Sequence, residues 1–148
     1  MVEEIPPEDQ VSRHIDAPHK WKPAEQEFEE QRLFEFPRDE PESVVWRRYV
    51  PGIAQVHQMG CERQAVKRPT KPSYTYVGAI TATAEAIRAI RVNGHGFRLE
   101  HAPDEGEWHA HVSYLKLPDT EFNKAHKLDL KEHLRNAFGP LEPHSCVD

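Results

Sequence analysis

A chain of 148 residues with 37% apolar side chains fits one domain that can bury a core without disulfides or metals. No apolar run approaches the ~18 residues of a membrane span, and the acidic start, MVEEIPPEDQ, lacks the apolar stretch of a secretory signal. The net charge of −6 argues against general nucleic-acid binding, yet it is uneven: residues 1–45 carry thirteen acids and five bases, residues 46–98 nine bases and two acids, and residues 99–148 five bases and ten acids.

Residues 1–42 are rich in proline and acids. Proline removes backbone donors and restricts its neighbours, so an extended arm with short pieces of structure is expected here rather than a central strand. Within it, Leu33, Phe34 and Phe36 read as an edge strand, and Trp21 as the ring that pins the arm to the body. The acidic arm is expected to lie on the basic middle third and neutralise it.

Residues 43–148 then form a single α+β domain. Ser43 to Val50 is rich in β-branched and aromatic residues and stops at Pro51-Gly52, which predicts a strand and a turn. The spacing of Ile53, Val56, Met59 or Gly60, and Ala65 predicts a helix ending before Pro69. Tyr74 to Ile80 reads as a strand. Thr83 then caps a short helix with Glu85 in its first turn and Arg88 and Arg91 near its end. Asn93-Gly94 stops it. Phe97 to Leu115 reads as a hairpin, and Glu121 to Phe138 as a last helix halted by Gly139-Pro140. The expected architecture is a small, mostly antiparallel sheet packed with two to three helices, preceded by the extended N-terminal arm.

The stretch EHAPDEGEWHAHV holds the candidate metal site. A three-residue loop, Asp104-Glu105-Gly106, puts glycine where such loops want a left-handed residue. His101 then faces His109, Leu99 faces His111, and all three histidines share one side of the hairpin. Three imidazoles with one open position suit zinc, and Glu105 or Glu107 could serve as base. A one-residue slip of register would send His101 to the other side. Ten histidines in the chain also make clusters by chance, and a solvated strand explains the alternation without any ligand, ahead of both the metal site and a ligand-binding polar face.

Arg63, Lys67, Arg68 and Lys71, followed by Tyr74 and Tyr76, form the candidate anion site, with the rings as stacking platforms for a single strand. NGHGF, Asn93 to Phe97, follows a helix rather than opening one, so it reads as a flexible turn and not as a phosphate loop. Cys61 and Cys146 are expected as reduced thiols in a cytoplasmic protein.

SRHI (Ser12 to Ile15), KWKP (Lys20 to Pro23) and Trp46-Arg47 resemble the opening of small bacterial proteins of unassigned function. The resemblance covers the first third of the chain. It implies no activity, only that Arg13 and Trp21 are more than loose ends. From all this the expected function is that of an accessory binding module with a protein partner. The alternatives are a metal-dependent hydrolase on the histidine hairpin and a phosphate or nucleic-acid binder on the middle third.

Overall fold

The computed structural model describes residues 1–147. The fold is α+β: a six-stranded antiparallel sheet with three helices. The strands are β1 (Gln10–Ala17), β4 (Glu42–Trp46), β5 (Thr75–Thr83), β6 (Gly96–His101), β7 (His109–Leu115) and β8 (Glu142–Pro143), in the order β6-β7-β4-β1-β5-β8. A separate two-stranded ribbon pairs β2 (Trp21–Lys22) with β3 (Glu27–Phe28). The helices are α1 (Ile53–Lys67), α2 (Ala84–Arg88) and α3 (Lys124–Ala137). No helix among the described residues is long and apolar enough to cross a membrane.

Period-two alternation gives the sheet two unlike faces. One carries Val11, Ile15, Val44, Trp46, Ile80, Phe97, Leu99, Ala110, Val112 and Tyr114, and packs on Ile87 of α2 and Leu130 and Leu134 of α3. The other carries Ser43, His109 and His111 over β4 and β7. On the same face Val45 of β4 and Ala79 of β5 meet Val56 of α1 in a smaller apolar cluster. Helix caps follow local chemistry. The Thr83 hydroxyl accepts from Ala86 N at 3.1 Å, and Asn123 forms a reciprocal capping box with His126.

The N-terminal segment departs from expectation. β1 lies near the middle of the sheet, with β4 on one side and β5 on the other. Prolines flank it at Pro7 and Pro18 but none lies inside it, so every ladder donor is kept. Leu33, Phe34 and Phe36 form no strand. They sit between two short 3-10 turns and are buried to within 3% as a plug against α3 and the apolar sheet face. Trp21 is only partly buried and packs edge-on against Phe28 at 5.1 Å, both rings resting on the core.

The tail also folds back. β8 pairs with β5, and Cys61 on α1 is disulfide-bonded to Cys146, which corrects the expectation of reduced thiols. The cysteines are 85 residues apart in sequence, and spacing alone carried no sign of the pairing. Losing this link through a Cys61→Ser, Cys146→Ser double variant should cost up to about 4.5 kcal/mol in the chain-entropy account. Melting curves with and without reductant check this: reductant lowers the wild-type midpoint and leaves the variant unmoved.

α1 touches β5 through a glycine. A Cβ on Gly60 would stand 2.4 Å from Cε1 of buried Tyr76. Gly60→Ala therefore gains about 1 kcal/mol of helix propensity but meets an overpacking cost of roughly 1–3 kcal/mol or more. The variant should melt several degrees below wild type; an unchanged or raised midpoint would contradict this contact.

Candidate functional site

The hairpin of β6 and β7 has the odd register. His101 pairs with Ala110, Glu100 with His111 and Leu99 with Val112. The expected turn residues do turn, but Pro103–Glu105 coils as a 3-10 turn, and Gly106 (φ 137°) closes it with its N–H on Pro103 O. This lengthens the loop by enough to slip the register once, and a slip of one sends a side chain to the other face. His101 therefore leaves the predicted trio. It lies on the apolar side against Trp46, its Nδ1 accepting from Glu3 N at 3.0 Å and its Nε2 donating to Glu107 O at 2.7 Å. Both nitrogens are committed, so it is a structural residue.

His109 and His111 keep their shared face, and Glu105 takes the third place. One carboxylate oxygen, Oε2, stands 2.9 Å from His109 Nδ1 and 3.1 Å from His111 Nε2. The three donor atoms lie within 4.8 Å of one another. β4 holds the strand beneath them through the pairs Ser43–His111 and Val45–His109. His109 is 5% exposed, and its Nε2 meets Ser43 Oγ at 2.9 Å. Burial pushes its pKa down, against the pull of the Glu105 carboxylate.

Beside His109 the sheet opens. β1 and β4 pair only through Val11–Trp46 and Ser12–Val45, after which their ladder ends. A cavity of about 330 Å3 occupies the fork, lined in part by Arg13, His14, Lys20, Glu42, Arg63, Tyr74 and His109. Arg13 spans the gap, donating from Nη1 to Ser43 O at 2.8 Å and from Nη2 to Glu42 Oε2 at 2.6 Å, with its guanidinium over the Phe34 ring. Asp16 holds Lys20 at 2.9 Å. His14 Nε2 donates to Val56 O at 2.9 Å, which makes Nδ1 the unprotonated nitrogen. Burial lowers its pKa to about 4, and the charges of Arg63 and Arg13 push the same way.

A second hollow of about 490 Å3 shares Asp16, Lys20, Arg63 and Tyr74 with the first and adds Lys67 and Lys71. Of the predicted anion quartet, Arg63, Lys67 and Lys71 thus line one concavity, and none of them takes part in an ion pair among the described residues. Arg68 stands apart: its Nε donates to Tyr74 O at 2.9 Å and its Nη2 to Thr75 Oγ1, clamping the start of β5. Tyr74 and Tyr76 are buried to 9% and 1%, so they offer no stacking platform. The Tyr76 phenol is turned inward to His57 Nδ1 at 2.7 Å. The expected masking by the acidic arm is also corrected. Asp39 pairs with Lys116 and Lys127, Glu30 with Arg135, and Glu35 with His19, none of them a base of the middle third.

The NGHGF turn is rigid rather than loose. His95 is fully buried, donating to Glu121 O and accepting from Leu117 N, both at 2.8 Å. Sequence reading missed His14, Lys20 and Glu42 as cleft residues and had Arg13 only through a resemblance. The available signal was a run of polar side chains, Ser12-Arg13-His14, between Val11 and Ile15. No family model, no curated protein and no solved structure matches this chain.

His14 carries a pH prediction. It titrates at about 4 in the fold and at ~6.5 unfolded, so between these values the unfolded chain binds the extra proton. Its contribution is complete above about pH 6.5 and is lost as pH falls towards 4, a loss of about 3 kcal/mol. His14→Gln should remove this slope. Urea unfolding of both proteins at pH 4.5 and 7.5 checks it; a difference between them that does not change with pH would contradict the assignment.

Proposed function

We propose that the chain is a binding protein for a small polyanion, of the class of phosphate esters, seated in the joined hollows beside α1. The observation that carries this is the trio Arg63, Lys67 and Lys71, three cations on one concave surface with no acidic partner among the described residues. Arg63 and Lys67 are one helical turn apart and so share a face of α1. The acids lining the two hollows, Asp16 and Glu42, are engaged by Lys20 and Arg13. The surplus charge is therefore positive, and walls of low dielectric concentrate its field. Lysine and arginine are the side chains that hold phosphate oxygens. A hollow of about 490 Å3 lies within the range of small-molecule sites.

This reading displaces the protein partner expected from the sequence. Of the exposed large apolar side chains, Met1, Val2 and Val147 lie at the chain ends, and Tyr49, Val66, Leu117 and Leu128 stand on four different segments. The disulfide favours an oxidising compartment over the cytoplasm.

Calorimetric titration with inorganic pyrophosphate tests it. Binding should weaken with rising salt and fall at least tenfold in both Arg63→Ala and Lys67→Ala. Lys124→Ala, at the exposed start of α3, should leave it unchanged. Equal affinity in all four proteins, or no heat of binding, would overturn the proposal. A single-stranded oligonucleotide that displaces pyrophosphate would reassign the site to nucleic acid.

A further inference from the structure

We infer that Glu105, His109 and His111 form a binding site for one divalent transition ion of the zinc class. The inference is independent of the anion reading and rests on three features of the β7 hairpin.

The first is an orphan. His109 is nineteen-twentieths buried, and its Nδ1 has no hydrogen-bond partner. It nevertheless stands 2.9 Å from Glu105 Oε2, at an angle that makes no hydrogen bond. Nε2 is hydrogen-bonded to Ser43 Oγ on the far side of the ring, the hydroxyl accepting or donating according to the tautomer. In the Nε2–H tautomer Nδ1 turns a lone pair to the carboxylate oxygen, which is repulsive. A cation between the two makes both contacts attractive, and metal-bound histidines are typically fixed by such a hydrogen bond on the other nitrogen.

The second is geometry. Donors held at ~2.0–2.2 Å around a tetrahedral ion are about 3.4 Å apart. The separations from Glu105 Oε2 are 2.9 and 3.1 Å, and the third pair lies within 4.8 Å. Closing the histidine pair to that spacing needs a swing of up to ~1.4 Å by the His111 ring, which is 34% exposed, while the Glu105 side chain, 59% exposed, gives by a few tenths of an ångström. His111 then binds through Nε2 as the Nδ1–H tautomer, and its hydrogen bond to Glu105 is exchanged for the metal.

The third is the donor set. Two imidazoles and one carboxylate suit zinc and its neighbours rather than magnesium or calcium, which prefer oxygen alone. Three protein donors leave a fourth position open, and the exposed Glu105 puts that position on the solvent side. His109 also lines the fork cavity, so an ion here stands at the edge of the cleft.

The test uses tag-free full-length protein stripped with chelator and titrated at pH 7.5 with zinc by calorimetry and with cobalt(II) by visible absorption. One equivalent should bind, with cobalt giving the intense bands of a four-coordinate site. Glu105→Gln and His111→Ala should each weaken binding at least tenfold. Both residues are solvent-accessible, so folding is preserved, and circular dichroism verifies it. His133→Ala, on the exposed face of α3, should bind as wild type. No uptake, or uptake that neither variant weakens, overturns the inference. Pyrophosphate titrated into the chelated protein separates the two proposals, since anion binding there does not need the ion.

Discussion

A buried guanidinium, Arg13, stands where β1 and β4 part, and much of the molecule is arranged around it. Taking a charge out of water costs several kcal/mol unless it is paired and its donors are filled. Arg13 meets most of that demand with Glu42 Oε2 and Ser43 O, while its buried Nε has no hydrogen-bond partner. The other oxygen of Glu42 accepts from Phe36 N at 3.0 Å, which fixes the loop carrying Leu33, Phe34 and Phe36 into the core. One ion pair therefore joins the sheet, the plug and the floor of the cleft. Such a pair is weak support for net stability, since apolar side chains of the same volume can do as well. Apolar replacements would close the fork, whereas the ion pair keeps it open and polar.

The histidines divide by what their nitrogens do. His14, His95 and His101 each donate to a backbone carbonyl, His57 meets a tyrosine hydroxyl, and His126 completes the cap of α3. In a chain with few apolar residues, the first four of these rings serve as small amphipathic wedges that fill core space while joining separate segments. His109 differs because one nitrogen is satisfied by Ser43 and the other is left facing a carboxylate. The count of histidines therefore says little about metal; the state of single nitrogens says much more.

Local signals were legible. Gly52 ahead of Ile53, Thr83 as a cap, and the turn at Asp104-Glu105-Gly106 all act over four residues or fewer, and each appears where expected. What was not legible depends on partners remote in sequence. β1 looks like arm because Ser12, Arg13 and Asp16 break its apolar run, and only the fork and α1 explain why polar groups are tolerated there. The hairpin register turned on whether Pro103 begins a coil or continues a strand. Both states are compatible with proline, and the choice moved His101 out of the site and Glu105 into it. Of the basic quartet, Arg68 was lost because it reaches β5, a contact that spacing along α1 cannot reveal.

α1 links these observations. Its contact with the sheet is thin in apolar terms, with Val56 fully buried and Ile53 and Met59 only partly so. Polar and covalent ties do the rest. Gln64 Oε1 accepts from Tyr76 N at 2.8 Å, Arg68 grips Tyr74 O, His57 stacks on His144 at 4.5 Å, and Cys61 is bonded to the tail. A helix carrying Arg63, Lys67 and nearby Lys71 repels itself along that edge, and burial alone offers little to resist it. The tail, returning as β8 and a disulfide, supplies a restraint that no side chain of the cleft can give. The described tail residues thus help set the position of a cationic wall that they do not themselves line.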